Sequence, residues 1–295
     1  MRPPWSVRST DGVTLRVHEL AAGPATGGDV LAAIHPTGFC GPVWAPIADR
    51  LSADIRVVAP SLRGHGGSTA PADGHFDWNG FAEDVLAVVD DLDLDPDTRL
   101  FGAGHSKGAA ALVLAEQARP GTFGALWCYE PIIVPADPPI GPDTDNPLAA
   151  RARRRREGFA TRDEALANFA SKPPMQRFHH EALAAYVEHG LIDSPDGSGV
   201  TLACQPRHEA QVYLMQSAHA AWRHLPETTC RIEVVCGEHS AAIGPALAQM
   251  LVDRLPNAEL RVMEGWDHFG PLEDPARAAA EVSAWLSQPP DTVRS

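Results

Sequence analysis

Residues 100–118 read LFGAGHSKGAAALVLAEQA, and they combine a strand pattern, a tight turn and a helix pattern. Residues 100–103 form a short apolar run that is typical of a buried strand, and residues 109–118 are rich in alanine and leucine, which favours a helix. Between them, residues 104–108 (GHSKG) match the pattern G-x-S-x-G. The tight turn needs its glycines because larger side chains would collide with the neighbouring backbone. The stretch therefore predicts that Ser106 presents its hydroxyl above the end of a sheet.

Short apolar runs recur along the chain, as expected for strands that are buried on both faces of a parallel sheet. They cover residues 30–34, 55–59, 100–103, 123–129, 232–236 and 260–263. Segments with helical spacing or composition lie between or after them, at residues 81–89, 109–118, 246–255 and 276–286. The alternating run 13–20, followed by the loop 21–24, indicates a hairpin at the start of the chain. Strands that alternate with helices predict an α/β fold with a mostly parallel, doubly wound sheet.

Residues 136–226 interrupt this alternation, because they contain no convincing buried strand. They begin with a turn-rich piece and continue with helical patterns at residues 163–169, 182–187 and 212–222. We interpret the segment as an inserted helical lid over one end of the sheet, which leaves residues 1–135 and 227–295 as the core. Open α/β sheets bind ligands at the carboxyl ends of their strands, so a lid at that end would shape a pocket.

Composition excludes several classes of function. The chain has 24 Lys and Arg against 38 Asp and Glu, a net charge of −14, which argues against nucleic-acid binding. For the same reason, the basic run 151–156 is interpreted as a solvated helix face. No apolar run approaches the roughly 18 residues of a membrane span, and the N-terminus lacks the apolar stretch of a signal peptide. Five scattered cysteines without a CxxC pair indicate reduced thiols, so we expect a cytoplasmic protein without a membrane partner.

Three further motifs follow predicted strands, at residues 35–39 (HPTGF), 61–68 (SLRGHGGS) and 265–273 (GWDHFGPLE). Together with residues 104–108, these motifs follow one another in the order found in the α/β-hydrolase family. The chain resembles that family over nearly its full length. The resemblance implies an α/β-hydrolase fold and a serine hydrolase. No dinucleotide fingerprint, P-loop or metal-ligand spacing is present, so no cofactor and no metal are expected. The chain departs from the family at Pro36, where glycine is usual, and at Ser61, where aspartate is usual.

The resemblance also assigns a general base and an oxyanion hole. A serine hydroxyl is a poor nucleophile until an imidazole removes its proton, and His268 is the histidine that follows the last predicted strand. Proline has no N–H, so Pro36 cannot donate to an oxyanion. The expected donors are therefore the backbone N–H groups of Thr37 and Lys107. We expect the Lys107 ammonium to point into solvent.

The carboxylate that orients His268 has two candidates. In most of the family an aspartate follows the next-to-last strand, where this chain has Glu238 and then, at the expected position, Ser240. A subset of the family places the acid one strand earlier, and there the chain has Glu130 directly after an apolar strand. We favour Glu130, with Glu238 as the alternative.

These assignments lead to a hypothesis of acyl transfer, with Ser106 forming an acyl-enzyme on a small or medium apolar carboxylic ester or lactone. We expect an apolar pocket whose lining includes Phe39, Phe169, Phe178, Tyr213 and Trp222. Hydrolysis of a carbon–carbon or amide bond by the same residues is an alternative. So is a ligand-binding protein that keeps the hydrolase fold without turnover. The expected partner is a small apolar molecule, and a homodimer is left open.

Overall fold

The computed structural model describes residues 2–24 and 27–288, so residues 1, 25–26 and 289–295 of the predicted core lie outside the described residues. Strands within these ranges are numbered in chain order. They are β1 (Trp5–Arg8), β2 (Thr14–Ala22), β3 (Asp29–Ile34), β4 (Ile55–Ser61), β5 (Leu100–His105), β6 (Ala125–Tyr129), β7 (Gly158–Phe159), β8 (Leu191–Asp193), β9 (Val200–Leu202), β10 (Arg231–Gly237) and β11 (Ala258–Met263). The central sheet of the described residues has eight strands in the order β1-β2-β4-β3-β5-β6-β10-β11.

The helices of the described residues are also numbered in chain order. They are α1 (Ala45–Ala48), α2 (Trp78–Asp91), α3 (Lys107–Ala118), α4 (Pro147–Ala152), α5 (Arg162–Ala170), α6 (His180–His189), α7 (Pro206–Leu214), α8 (Ala221–His224), α9 (Pro245–Val252), α10 (Gly270–Glu273) and α11 (Pro275–Leu286). Short 3₁₀ helices cover Gly41–Trp44, Met175–Arg177 and Leu225–Glu227. Within residues 2–24 and 27–288, none of the helices is both long and apolar enough to cross a membrane.

Two apolar clusters lie on opposite faces of the sheet. Along β3, Val30 and Ala32 belong to one cluster, and Leu31 belongs to the other, because successive side chains of a strand point to opposite faces. Helices α2, α3 and α9 contribute to the first cluster, and α1 and α11 to the second. The neighbours from β4 to β11 are parallel. The prediction of a mostly parallel, doubly wound α/β sheet is therefore confirmed.

The predicted hairpin at the start of the chain is wrong, because the strands on either side of its loop do not pair with each other. Strand β2 pairs antiparallel with β1 before it and with β4, whereas β3, which follows the predicted loop, pairs parallel with β4 and β5. The physical reason is burial: β3 is apolar on both faces and takes a place in the interior of the sheet. Strand β4 is therefore inserted between β2 and β3.

The segment between β6 and β10 contains α4–α8, but it is not free of strands. Strands β7, β9 and β8 form a small antiparallel sheet in that order, which corrects the expectation that residues 136–226 lack strands. These strands are two or three residues long, too short to produce a recognisable alternation of apolar residues. The predicted helical pattern 212–222 is also divided, because α7 ends at Leu214 and α8 begins at Ala221.

A buried ion pair anchors the loop after β4 to α2. The side chains of Arg63 and Asp84 are 1% and 0% exposed. Asp84 accepts hydrogen bonds from the Arg63 backbone N–H at 2.8 Å, from its Nε at 3.0 Å and Nη2 at 2.9 Å, and from the Ser9 hydroxyl at 2.6 Å. A buried charge is tolerated only when it is paired and hydrogen-bonded, so these bonds hold the loop against the helix.

We expect Asp84→Ala to lower the free energy of unfolding by about 3 kcal/mol, because the buried Arg63 guanidinium loses its buried partner and keeps only the exposed carboxylates of Asp11 and Glu83. The matched control is Asp29→Ala, which removes the partner of Arg99 in an ion pair whose arginine is 50% exposed. That loss should be about 1 kcal/mol or less. Urea unfolding followed by circular dichroism measures both, and equal losses would contradict the prediction.

Candidate active site

Ser106 lies in the sharp turn between β5 and α3, with φ 58° and ψ −118°. This left-handed conformation is uncommon for a residue with a side chain. The packing around the turn leaves room only for glycine at positions 104 and 108. A Cβ at Gly104 would lie 2.6 Å from the Ala109 backbone, and one at Gly108 would lie 2.3 Å from the Ile34 oxygen. The glycines of the G-x-S-x-G pattern therefore let the helix start directly against the sheet.

Glu130 directly follows β6, is fully buried and has a positive φ of 48°. Its Oε2 accepts a hydrogen bond of 2.6 Å from Nδ1 of His268, and the Ser240 hydroxyl donates to the same oxygen at 2.6 Å. Its Oε1 accepts from the Gly237 backbone N–H at 3.0 Å. The carboxylate thus connects the ends of β6 and β10 with the loop after β11.

The structure does not bring the alternative acid, Glu238, to the imidazole. Its Oε2 accepts a hydrogen bond of 2.9 Å from the Gly265 backbone N–H, and its carboxylate faces His239 at 3.7 Å. The side chain is 45% exposed. The residue at the usual acid position, Ser240, instead donates to Glu130. The sequence shows serine at that position, but no local pattern indicates that its hydroxyl donates to the carboxylate of Glu130.

His268 and Ser106 line the same cavity. No hydrogen bond joins their side chains in the part of the chain that the structure describes. Because Glu130 engages Nδ1, the Nε2 atom is the nitrogen that remains for the serine hydroxyl. Two hydrogen bonds hold the loop that carries His268. His105 Nε2 hydrogen-bonds the His268 carbonyl oxygen at 2.8 Å, and the Tyr129 hydroxyl donates to the carbonyl oxygen of Asp267.

The expected oxyanion donors, the backbone N–H groups of Thr37 and Lys107, have no acceptor within residues 2–24 and 27–288. The loop that carries Thr37 is held by His35. Its Nε2 accepts from the Leu62 N–H at 3.0 Å, so its Nδ1–H donates to the Pro36 carbonyl oxygen at 2.8 Å. Burial, followed by the nearby Lys107 ammonium, lowers the pKa of His35 well below its usual value, which favours this neutral form.

The Lys107 side chain does not point into solvent as expected. It is fully buried, and its Nζ lies 4.4 Å from the centre of the Phe81 ring without a hydrogen-bond partner among the described residues. Burial lowers the pKa of the Lys107 ammonium to about 7, and the nearby Cys204 and Asp84 only partly oppose this. The expectation failed because α3 begins directly under the sheet, where its first side chain meets α2.

The cavity has a volume of about 770 Å³ and is lined both by the sheet ends and by residues 136–226. The expected aromatic residues that line it are Phe39, Phe169 and Tyr213. Phe178 and Trp222 are not among the lining residues, which corrects that expectation. Phe178 packs behind the wall with its ring 5.8 Å from Phe39, and Trp222 lies under the Arg254 guanidinium at 4.6 Å.

Two features of the cavity wall were missed. Trp78, from the start of α2, lines the cavity and donates its Nε1–H to the Val212 carbonyl oxygen of α7 at 3.0 Å. Four of the five arginines of the basic run are exposed, as expected for a solvated helix face. Four of the five also line the open cavity, which was not expected: Arg151, Arg154, Arg155 and Arg156. The net charge of the whole chain did not indicate that these arginines line a cavity, because net charge carries no information about the direction in which one run of residues faces.

Metal-ligating groups and cysteine thiols are two other kinds of reactive side chain. The described residues contain no group of three or more His, Cys, Asp and Glu side chains that could hold a metal ion. All five cysteines are free, and Cys40, close in sequence to Thr37, is fully buried. Burial raises the pKa of the Cys40 thiol to about 12, so the thiolate that a nucleophile requires is disfavoured.

Comparison with known proteins agrees with this geometry. The profile of the alpha/beta hydrolase family matches residues 30–282. A relative, 2-hydroxymuconate semialdehyde hydrolase from Pseudomonas sp. (strain CF600), is 26% identical over 301 residues, which cover 94% of this chain and 92% of that protein. A peroxisomal alpha-beta-hydrolase from Saccharomyces cerevisiae has a TM-score of 0.79 at 20% identity, covering 100% of this chain and 88% of that one. E-2-(acetamidomethylene)succinate hydrolase has a TM-score of 0.78 at 22% identity, covering 97% and 100%.

The buried Lys107 predicts a pH dependence of stability. Its pKa of about 7 in the folded protein lies below the usual 10.5, so the unfolded chain binds more protons between these values and stability rises with pH. Between pH 7 and 8.5 the wild type should gain about 1 to 2 kcal/mol of unfolding free energy relative to Lys107→Met, which cannot titrate. Urea unfolding at several pH values measures the difference, and parallel pH profiles for the two proteins would refute it.

Proposed function

The chain belongs to the alpha/beta hydrolase family, and from this premise we propose that it is a serine hydrolase whose nucleophile is Ser106. The observation that carries the proposal is the buried hydrogen bond between Glu130 and His268, formed beside the cavity that Ser106 lines. A carboxylate, an imidazole and a serine on three strand ends are the groups that acyl transfer requires. A protein that only binds its ligand has no need for this arrangement.

The proposed reaction begins when Nε2 of His268 removes the hydroxyl proton of Ser106 and the serine oxygen bonds to the substrate carbonyl carbon. The N–H groups of Thr37 and Lys107 donate to the oxyanion that forms. Its collapse breaks the bond to the leaving alcohol, which takes the proton from the imidazolium. Water then attacks the acyl-enzyme in the same way, releasing the acid and restoring the serine.

Glu130 acts through His268 in this scheme. Its carboxylate fixes the imidazole with the proton on Nδ1 and stabilises the imidazolium, while Ser240 and Gly237 keep the carboxylate in place. We expect the hydrogen bond between Ser106 and His268 to form when substrate binds, because catalytic hydrogen bonds are often long in proteins without substrate.

The preferred substrate class is a small or medium carboxylic ester or lactone. A cavity of about 770 Å³ is large enough for such a molecule, and its apolar part would pack against Phe39, Trp78 and Phe169. We propose that residues 136–226 act as the lid that encloses it, over a core formed by residues 1–135 and 227–295. Free, largely buried cysteines suit a reducing compartment such as the cytoplasm.

A second candidate, cleavage of a carbon–carbon bond next to a carbonyl group, is favoured by one comparison. The relative that matches along 94% of this chain is named for hydrolysis of 2-hydroxymuconate semialdehyde. The same three residues can serve both reactions, since in each the serine oxygen attacks a carbonyl carbon and the imidazolium then protonates the leaving group, which is an alkoxide for an ester and an enolate carbon for a β-diketone. Parallel assays with short 4-nitrophenyl esters and with a β-diketone separate the candidates by the ratio of kcat/KM.

We expect a fluorophosphonate probe to label the wild type at Ser106 and not to label Ser106→Ala. The same substitution should lower kcat for ester hydrolysis by about 10⁴-fold or more, because it removes the nucleophile. Mass spectrometry locates the label, and an unchanged unfolding transition serves as the control. Equal hydrolysis by the two proteins would refute the acyl-enzyme, and a silent probe would favour a ligand-binding protein.

The two glutamates near the end of β10 provide a matched pair of variants. Glu130→Gln should lower kcat by about 10²- to 10⁴-fold, since the amide no longer stabilises the imidazolium that forms in the transition state. Glu238→Gln should change kcat less than about twofold, because its carboxylate hydrogen-bonds the Gly265 backbone and faces His239 instead of His268. Steady-state kinetics on one ester measures both, and the reverse order would reassign the acid.

A further inference from the structure

We propose that the substrate carries a carboxylate in addition to the carbonyl group that Ser106 attacks, and that Arg151 and Arg154 bind this carboxylate. The inference rests on the proposed function, because it places both groups of one substrate in the cavity that Ser106 lines. It changes the expected substrate class from a purely apolar ester to one with an anionic end.

The charge of the cavity lining is opposite in sign to the net charge of the whole chain. The whole chain has a net charge of −14, yet the side chains that line this cavity include five basic residues and two acidic ones. The basic residues are Arg151, Arg154, Arg155, Arg156 and Lys172, and the acidic ones are Glu209 and Asp267. Histidines aside, the lining therefore has a formal charge of 5 − 2 = +3. A positive cavity in an acidic protein concentrates anions at its mouth.

Neither acidic residue neutralises Arg151 or Arg154. Glu209 forms an ion pair with Arg155, and Asp267 pairs with Arg177 at 2.9 Å. Arg156 has its own partner, Glu164, at 2.6 Å. Within residues 2–24 and 27–288, no carboxylate lies within ion-pair distance of the two arginines. The unpaired positive charge of the cavity is therefore concentrated on them and on Lys172.

The backbone explains why these two arginines act together. Arg151 is in the last turn of α4, and the N–H of Arg154 donates to its carbonyl oxygen at 3.1 Å, so the helical turn continues through residue 154. Residues three positions apart lie on the same side of a helix. Arg153 lies on the same turn but does not line the cavity. Favourable interaction with the helix dipole does not explain this placement, because Arg153 would serve that purpose equally well.

The basic wall extends from the lid towards the oxyanion loop. All five basic residues come from residues 136–226, whereas Ser106, Thr37 and His268 come from the sheet. Arg155 donates to the Tyr186 hydroxyl at 2.8 Å, and a Cβ at Gly38 would lie 3.3 Å from its Nη1. A substrate in the cavity would therefore present its carbonyl group to the sheet and its other end to the arginines.

A carboxylate fits this end because the planar guanidinium can donate two parallel hydrogen bonds to its two oxygens. Binding an anion also relieves the repulsion between neighbouring positive charges. The aromatic rings of Phe39, Trp78 and Phe169 provide an apolar wall for the carbon chain of the substrate. Monoesters of dicarboxylic acids combine these features.

The test uses two esters that differ only at the far end: the mono(4-nitrophenyl) ester of adipic acid and its counterpart in which the free carboxyl is a primary amide. For the wild type we expect kcat/KM for the carboxylate to exceed that for the amide by about tenfold, and the excess to shrink as salt is added. In Arg151→Gln/Arg154→Gln the ratio should fall to about one. Arg153→Gln is the matched control and should keep the wild-type ratio.

A wild-type ratio of one or below would overturn the inference. So would an equal loss of the ratio in Arg153→Gln, or a double variant that slows both esters alike. If the wild type hydrolyses neither ester, the proposed function fails, and the inference is then judged by binding. Calorimetry with Ser106→Ala and each intact ester should show tighter binding of the carboxylate by about tenfold, and equal affinities would overturn it.

Discussion

The hydrogen bond between Glu130 and His268 is the constraint on which the rest of the site depends. A carboxylate with no exposure to water must find its hydrogen-bond donors within the protein, and Glu130 finds them at His268, Ser240 and Gly237. These donors belong to the end of β10 and to the loops that follow β10 and β11. Three segments far apart in sequence are therefore held at one point, directly beside the strained turn of Ser106.

Backbone strain and buried titratable groups occur together around the hydrogen bond between Glu130 and His268. Ser106 and Glu130 both adopt left-handed backbone conformations, and the neighbouring Lys107 and His35 are buried titratable groups. Such features cost stability and persist only where the surrounding structure enforces them. Here the parallel strands and α3 enforce them, so part of the stability of the sheet is used to hold reactive groups in conformations that they would not adopt alone.

The cavity combines two parts of the chain with opposite electrostatic character. The strand ends supply Ser106, Glu130 and His268 from a molecule that is acidic as a whole, while residues 136–226 supply a wall of arginines. Trp78 connects the two parts through its hydrogen bond to Val212. In the proposed function, the strand ends determine which bond is attacked, and the inserted segment determines which molecules reach it. This division is why the fold says much about chemistry and little about substrate.

Short patterns in the sequence predicted the alternation of strands and helices, the serine turn, and the positions of Glu130 and His268 directly after strands. These follow from short patterns, and the carboxyl ends of parallel strands meet at one edge of a sheet. Only the packing of distant segments set the burial of Lys107, the hydrogen bond from Ser240 to Glu130, and the position of four of the five arginines of the basic run at the cavity. Each depends on which distant segment packs against the residue, and no local pattern records that choice.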